Sequence, residues 1–249
     1  MINKIRNSPR RILLVRIVAN FFYSIQDYFI ILGLWTSSIG KHSEIKKLPL
    51  KIVTASDTSH FLSVKQLIES INNHDKNCKI VFYDLGLNIN EVKELKKMKL
   101  TYKKFNFENY PKFMNLSQKD AGAYAWKPQI IISEVSNDSP LTLWLDAGDI
   151  VKHNLNRVRL LLYTKGFYSP LSNGYVSQWT HEATLEQLSI RSKIWKKRML
   201  NAAIIGINPS NQVKKNYIKT WSEYSLNKKI ILPDGSCLLY TSDAADEEE

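Results

Sequence analysis

Asp146 and Asp149 stand three residues apart in LTLWLDAGDIV, Leu141 to Val151, at the end of an apolar run. A strand covered on both faces reads as such a near-continuous hydrophobic stretch, so both carboxylates fall where the chain leaves the core. Paired carboxylates at that place supply oxygen ligands for Mg²⁺ or Mn²⁺, which share their remaining positions with water and substrate phosphates. The same residues also suit a plain strand-to-loop turn, with Asp146 capping backbone amides and Gly148 taking a backbone angle that a Cβ disfavours. Spacing alone leaves both readings open.

A second polar group follows Val53 in TASDTSHF, where Thr54, Ala55, Ser56 and Asp57 precede Thr58 and Ser59. Its hydroxyls and its carboxylate are hydrogen-bonding partners for a ligand lying at the end of a strand. Trp126, beside Lys127 in AYAWKP, suits either a stacking surface or the core. His181, in QWTHEATL, follows Trp179. An imidazole there serves either as a general base or as the cap of the helix that follows.

These groups need a scaffold, and the pattern between them supplies one. Strands are predicted at Lys51–Thr54, Lys79–Tyr83, Leu100–Phe105 and Leu141–Leu145. Helices are predicted at Phe61–Asn72, Asn90–Met98 and Ala123–Val135, the last interrupted at Pro128. Phe61, Val64, Leu67, Ile68 and Ile71 mark the buried face of the first helix. Later come short strands at Gly166–Ser169 and Ala202–Ile207 and a helix at Asn211–Leu226. Strand and helix in alternation imply an α/β fold with a mainly parallel sheet flanked by helices. Ligands of such sheets bind beyond the carboxyl ends of the strands, which is where Asp57 and Asp146 are expected.

Charge and composition narrow the partners. The chain has 249 residues, 35 basic and 23 acidic, for a formal balance of +12. Its last thirteen residues, CLLYTSDAADEEE, hold five acids and no Lys or Arg, and resemble a translated sequencing adapter. Residues 237–249 are therefore expected to be foreign, with the natural chain cut off near Ser236. Without those five, 18 acids face 35 basic residues, a balance of +17. Such a body attracts anions in general. Its lysines come as scattered pairs with no nucleic-acid recognition motif, so nucleic acid is not an expected partner. Cys78 is the one cysteine of the body, which excludes a disulfide framework and a cysteine zinc site and suits a reducing, cytoplasmic setting.

Residues 1–47 differ from the rest. Lys4, Arg6, Arg10 and Arg11 precede the apolar stretch Ile12–Trp35, in which Arg16, Asn20, Ser24 and Asp27 step by four, four and three. That places the polar residues on one stripe of an amphipathic helix, followed by a polar connector, Thr36 to Lys47. A helix lying at a membrane surface is one reading, with basic residues before it. A helix packed on the protein's own core is the other, whereas Arg16 and Asp27 argue against a spanning anchor.

TASDTSHFLSVKQLIESI, YDLGL, AYAWKPQIIISEV, LWLDAGDIV and NAAIIGINPSN occur in an order that resembles glycosyltransferases of the A-type fold, notably glycogenin-like and lipopolysaccharide-type sugar transferases. The resemblance runs from Lys51 to Ser236, and the order of the motifs carries it. It implies a Rossmann-like sheet in a domain over residues 48–236. It also implies a nucleotide-diphosphate sugar as donor and a glycan acceptor, at a membrane surface if the N-terminal stretch lies there. Carried onto matching positions, Thr54, Ala55, Ser56 and Asp57 resemble the loop that holds base and ribose. Lys127 resembles the basic residue near the diphosphate. Asp146 matches the first carboxylate of an Asp-x-Asp motif, which contacts ribose and metal, and Asn201 matches the segment lining the sugar pocket.

The chain also departs from that pattern. Gly148 stands where the second carboxylate belongs and Asp149 comes one position late, so Lys127 must stabilise the departing diphosphate if no metal binds. The Asp-Gln or His segment that the family places after Asp234 and Gly235 is expected to be missing, leaving this chain short of part of its site. Two rivals remain at this level. One is an aspartate-dependent phosphatase, which Gly148 also fails. The other is a non-catalytic peripheral protein that binds acidic lipid or sugar nucleotides.

Overall fold

A computed structural model describes Gly33, residues 42–136 and residues 138–233. Apart from Gly33, the stretch Ile12–Trp35 lies outside the described residues, as does the tail Cys237–Glu249. The end of the expected connector is not loop but a short helix, α1 (His42–Lys47), because Ile45 buries its side chain against Leu160.

The α/β alternation follows. β1 (Leu50–Asp57) leads to α2 (Phe61–His74), β2 (Cys78–Gly86), α3 (Ile89–Leu95) and β3 (Thr101–Lys104). A turn, α4 (Lys119–Ala123), precedes α5 (Trp126–Ser133), β4 (Leu141–Leu145), α6 (Asn156–Lys165) and β5 (Phe167–Tyr168). Next come β6 (Leu171–Tyr175), the short helices α7 (Val176–Trp179), α8 (Glu182–Gln187) and α9 (Ser192–Trp195), and β7 (Arg198–Leu200). The last elements are β8 (Ile204–Ile207), α10 (Gln212–Ser225) and α11 (Lys228–Ile231).

β1 to β4 form a parallel sheet in the order β3-β2-β1-β4, and β8 and β5 extend it antiparallel beyond β4. β6 and β7 pair separately as a two-stranded ribbon. In the central register Ile52 faces Leu143 and Val53 faces Trp144. Alternate residues of each strand point to opposite faces, and both faces are covered. Ile52, Phe82, Leu143 and Leu145 pack under α2 and α6, whereas Val53, Ala55, Trp144 and Ile205 pack under α5 and α10. Phe61, Val64, Leu67, Ile68 and Ile71 of α2 are buried as their spacing predicts, each contributing about 1.5–3 kcal/mol relative to exposure.

Two corrections bear on the site. β1 runs on to Asp57 instead of ending at Thr54, because Thr54, Ala55 and Ser56 keep pairing with Phe82, Tyr83 and Asp84 of β2. α5 is not interrupted at Pro128: proline is its third residue, inside the first turn, where no intrahelical bond needs the missing N–H.

Candidate active site

Asp146 leaves β4 immediately after Leu145, and its carboxylate is gripped from two directions. The Lys127 ammonium lies 2.7 Å from Oδ1 and 2.9 Å from Oδ2. The Trp144 indole Nε1 donates to Oδ1 at 2.6 Å. Residues two apart on a strand share a face, so Trp144 and Asp146 both turn toward α5, whose second residue is Lys127. The ammonium also lies 5.6 Å from the Trp144 ring and 5.8 Å from the Tyr124 ring, within cation–π range. Lys127 is buried, yet the Asp146 side chain keeps 38% exposure. The pair is thus fixed from behind and open in front.

The segment between β7 and β8 closes over this pair through its backbone. Lys127 donates to the Ala202 carbonyl at 3.3 Å, and the Asp146 amide donates to the Ala203 carbonyl at 3.0 Å. Asn201 shapes that segment: its Oδ1 accepts the Ala203 amide at 2.8 Å, while its own amide donates to the Pro170 carbonyl at 2.8 Å. Three residues singled out by sequence, Lys127, Asp146 and Asn201, therefore come together.

Asp149 belongs to the same turn. Its amide donates to the Asp146 carbonyl at 3.0 Å and its Oδ2 accepts the Asp146 amide at 3.0 Å. It is thus Asp149 that caps the turn through its side chain. Burial and the neighbouring Asp146 charge push the Asp149 carboxyl up to about 6. A cavity of about 250 Å³ opens beside it, lined by Leu143, Leu145, Val151, Tyr168 and Ile204.

These groups do not fit a resident divalent cation as they are arranged. Both Asp146 oxygens already take the ammonium, Gly148 offers no oxygen side chain, and Asp149 spends one oxygen on a backbone amide. A metal bonded to Asp146 at the ~2.1 Å of a Mg²⁺–oxygen contact would lie within about 5 Å of Nζ. No group of three metal-ligating side chains occurs among the described residues. The cation at Asp146 is the Lys127 ammonium.

The first strand's polar residues divide by face. Asp57 ends β1 beside β4 and caps the turn after it: Oδ1 accepts from Ser59 Oγ at 2.7 Å, the His60 amide at 3.2 Å and His60 Nδ1 at 2.8 Å. Burial opposes ionisation of Asp57, but these bonds and the nearby imidazole outweigh it and hold the carboxyl below its ordinary value. Ala55 is packed in the α5 side of the core. Thr54 and Ser56 are buried, and their hydroxyls find no partner among the described residues. His181 caps α8, with Nδ1 accepting the Ala183 amide at 3.2 Å. Trp126 is buried, and its Nε1 donates to the Ala121 carbonyl at 3.2 Å.

Sequence reasoning passed over Trp144 as a site residue, although its two-residue spacing from Asp146 is the signal that finds it. The carbonyls of Ala202 and Ala203 carry no side-chain signal at all.

The geometry can be set beside known proteins. A family model described as "Protein of unknown function (DUF1647)" matches residues 36–132, a span that includes β1 to β3 and Lys127. A search of curated proteins gave no match. Among solved structures, the bifunctional glycosyltransferase WbbM is similar with TM-score 0.50 and 17% identity over 75% of this chain and 35% of its own. The mannosyltransferase Ktr4p from S. cerevisiae gives TM-score 0.47 and 8% identity over 73% of this chain and 62% of its own. The galactosyltransferase LgtC, solved with donor and acceptor sugar analogues, gives 0.46 and 14% over 70% and 64%. The chain thus spans about a third of WbbM and under two thirds of the others. The similarity to WbbM shows the fold alone, a mainly parallel α/β sheet flanked by helices. No helix among the described residues is long and apolar enough to cross a membrane.

Proposed function

We propose that this chain belongs to a glycosyltransferase that moves a sugar from a nucleotide diphosphate to a hydroxyl of a glycan acceptor. The observation that carries the reading is the Asp146 carboxylate, fixed by Lys127 and Trp144 at the carboxyl edge of a parallel sheet and open on its outer side. In such a transfer the bond from the anomeric carbon to the diphosphate oxygen breaks, a bond to the acceptor oxygen forms, and the acceptor proton passes to the departing diphosphate or to water. Negative charge grows on the departing diphosphate. A buried ammonium nearby is worth more there than in water, which gives Lys127 its role. Asp146, already neutralised, accepts a hydroxyl of the donor. Asp57 on the adjacent strand faces the nucleoside, and Asn201 sets the backbone that borders the sugar.

The acceptor and its location rest on the sequence alone. Basic residues ahead of the apolar stretch Ile12–Trp35 support a membrane-associated glycan.

The test is Asp146→Asn, which keeps the shape and the contact with Trp144 while removing the charge. Turnover or hydrolysis of a panel of UDP- and GDP-sugars, measured with and without Mn²⁺, is expected to fall at least 100-fold in the variant. Activity within threefold of the parent would reject the role of Asp146 and the reading with it.

A further inference from the structure

The chain enters α5 through an unusual piece of backbone. Ala121, Gly122, Ala123 and Tyr124 have φ of 50°, 67°, 53° and 52°, four consecutive residues in the left-handed region. Only glycine takes that conformation freely; for the others it is a steric cost, usually seen in single residues. Here it is over-determined by its surroundings. A Cβ on Gly122 would come within 2.1 Å of the Met114 carbonyl oxygen, so the turn is pressed against that backbone. The Trp126 indole ties down the Ala121 carbonyl. Strain held in place this firmly beside a site is grounds for asking what it positions.

It positions Tyr124. The ring keeps 41% exposure although it belongs to a row of aromatic rings, with Trp126 at 6% and Trp144 at 1%. Ring centroids are 6.1 Å apart from Tyr124 to Trp126 and 6.2 Å from Trp126 to Trp144. The inner end of the row holds Asp146 and the outer end meets solvent, with the Lys127 ammonium 5.8 Å from the outer ring. An aromatic face carries negative charge density at its centre. The C–H face of a pyranose carries the complementary partial charge, while its hydroxyls need acceptors such as Asp146.

Resting on the sugar-nucleotide reading above, we infer that Tyr124 is the platform on which the donor's sugar ring lies, and that the left-handed turn exists to present it. The ring supplies affinity for the sugar and not for the nucleotide.

The experiment is calorimetric titration of the full chain and its variants with UDP-glucose, UDP-galactose, GDP-mannose, UDP and GDP. In the parent, the preferred sugar nucleotide is expected to bind at least tenfold more tightly than its own nucleoside diphosphate. Tyr124→Ala should shrink that ratio to within twofold and leave the nucleoside diphosphate within twofold of its parental affinity. Tyr124→Phe should keep the ratio within threefold. Tyr124→Gly, which suits the backbone, should lose the ratio while its melting temperature stays equal to the parent's or rises; a purely structural tyrosine would lower it. An unchanged ratio in Tyr124→Ala, an equal loss for sugar nucleotide and nucleoside diphosphate, or a parent that does not favour the sugar would overturn the platform. A parent that binds none of the five ligands would remove the functional reading as well.

Discussion

Arg159 with Asp75 and Lys127 with Asp146 are both a buried cation on a carboxylate, and they differ in what is left over. The Arg159 guanidinium grips Asp75 with both terminal nitrogens, at 2.5 and 3.0 Å, and its Nε donates to the Leu48 carbonyl at 2.9 Å. Asp75 also takes the Leu155 amide at 2.9 Å, and the two side chains keep 1% and 5% exposure. That pair joins α6 to the loop before β2, and its hydrogen-bonding capacity is largely spent inside the protein. The Lys127–Asp146 pair is satisfied on its inner side and open on its outer side, with 38% of the Asp146 side chain exposed. A saturated ion pair fastens elements together; one held firmly but left open is available to a ligand. Burial alone does not separate the two roles.

The sharpest way to break this comparison is to remove each cation in turn. Arg159→Met leaves Asp75 buried without its partner and is expected to cost about 3–5 kcal/mol, a large share of a typical domain's stability, measured by urea unfolding. Lys127→Met leaves a carboxylate that water still reaches and that Trp144 still holds, so about 1–2 kcal/mol is expected by the same measurement. Sugar-nucleotide affinity should fall more than tenfold in Lys127→Met and stay within twofold in the folded fraction of Arg159→Met. Equal stability losses with unchanged binding would make Lys127 a second fastening.

Much of this contrast was legible in the sequence, and the part that was not has a physical cause. The four parallel strands and α2 announced themselves because their apolar residues follow one period each. Lys127 and Asp146 stood out as charged residues at the ends of such runs. α6 was missed because Arg159 sits on its buried face and interrupts the apolar stripe, and only the distant Asp75 explains why a charge can lie there. The β6–β7 ribbon was missed because its strands are too short to set a period, although the helix after His181 was foreseen. The first strand is expected to end at Thr54, because small and polar residues such as Ala55, Ser56 and Asp57 look like a loop until the partner strand is known. The left-handed turn before α5 has no reliable signature, since two of its members are alanines, residues that otherwise favour right-handed helix.

A smaller effect tests the open side through pH. The Asp149 carboxyl is raised from 3.8 to about 6, so between those values the folded chain binds more protons than the unfolded one. Stability must therefore fall as pH rises from about 4 to about 6, the opposite of the sign expected from Asp57 and Asp75, whose carboxyls are held low. Full conversion of the Asp149 shift would give about 3 kcal/mol, and screening at a half-buried group reduces this to about 1–2. Asp149→Asn should abolish that portion of the slope, seen as the difference between parent and variant unfolding free energies at pH 4, 5, 6 and 7. A difference that stays constant across the range would mean that Asp149 is as well solvated as a surface acid and that the cavity beside it is wet.

The least expected effect concerns His181, the imidazole that the sequence offered as a catalytic base. Its Nδ1 accepts a backbone amide at the start of α8, and an acceptor nitrogen used in this way is not available to take a proton without giving up the cap. Asparagine is a better capping residue, so His181→Asn should preserve the helix, with stability within about 0.5 kcal/mol and turnover within twofold of the parent. His181→Ala should cost about 0.5–1 kcal/mol through the lost cap while turnover per folded molecule again holds. A base would respond differently: both substitutions would depress turnover alike and flatten the acid limb of its pH profile, with stability almost untouched. That result would move the chemistry away from the open pair at Asp146 and toward the segment around β6 and β7.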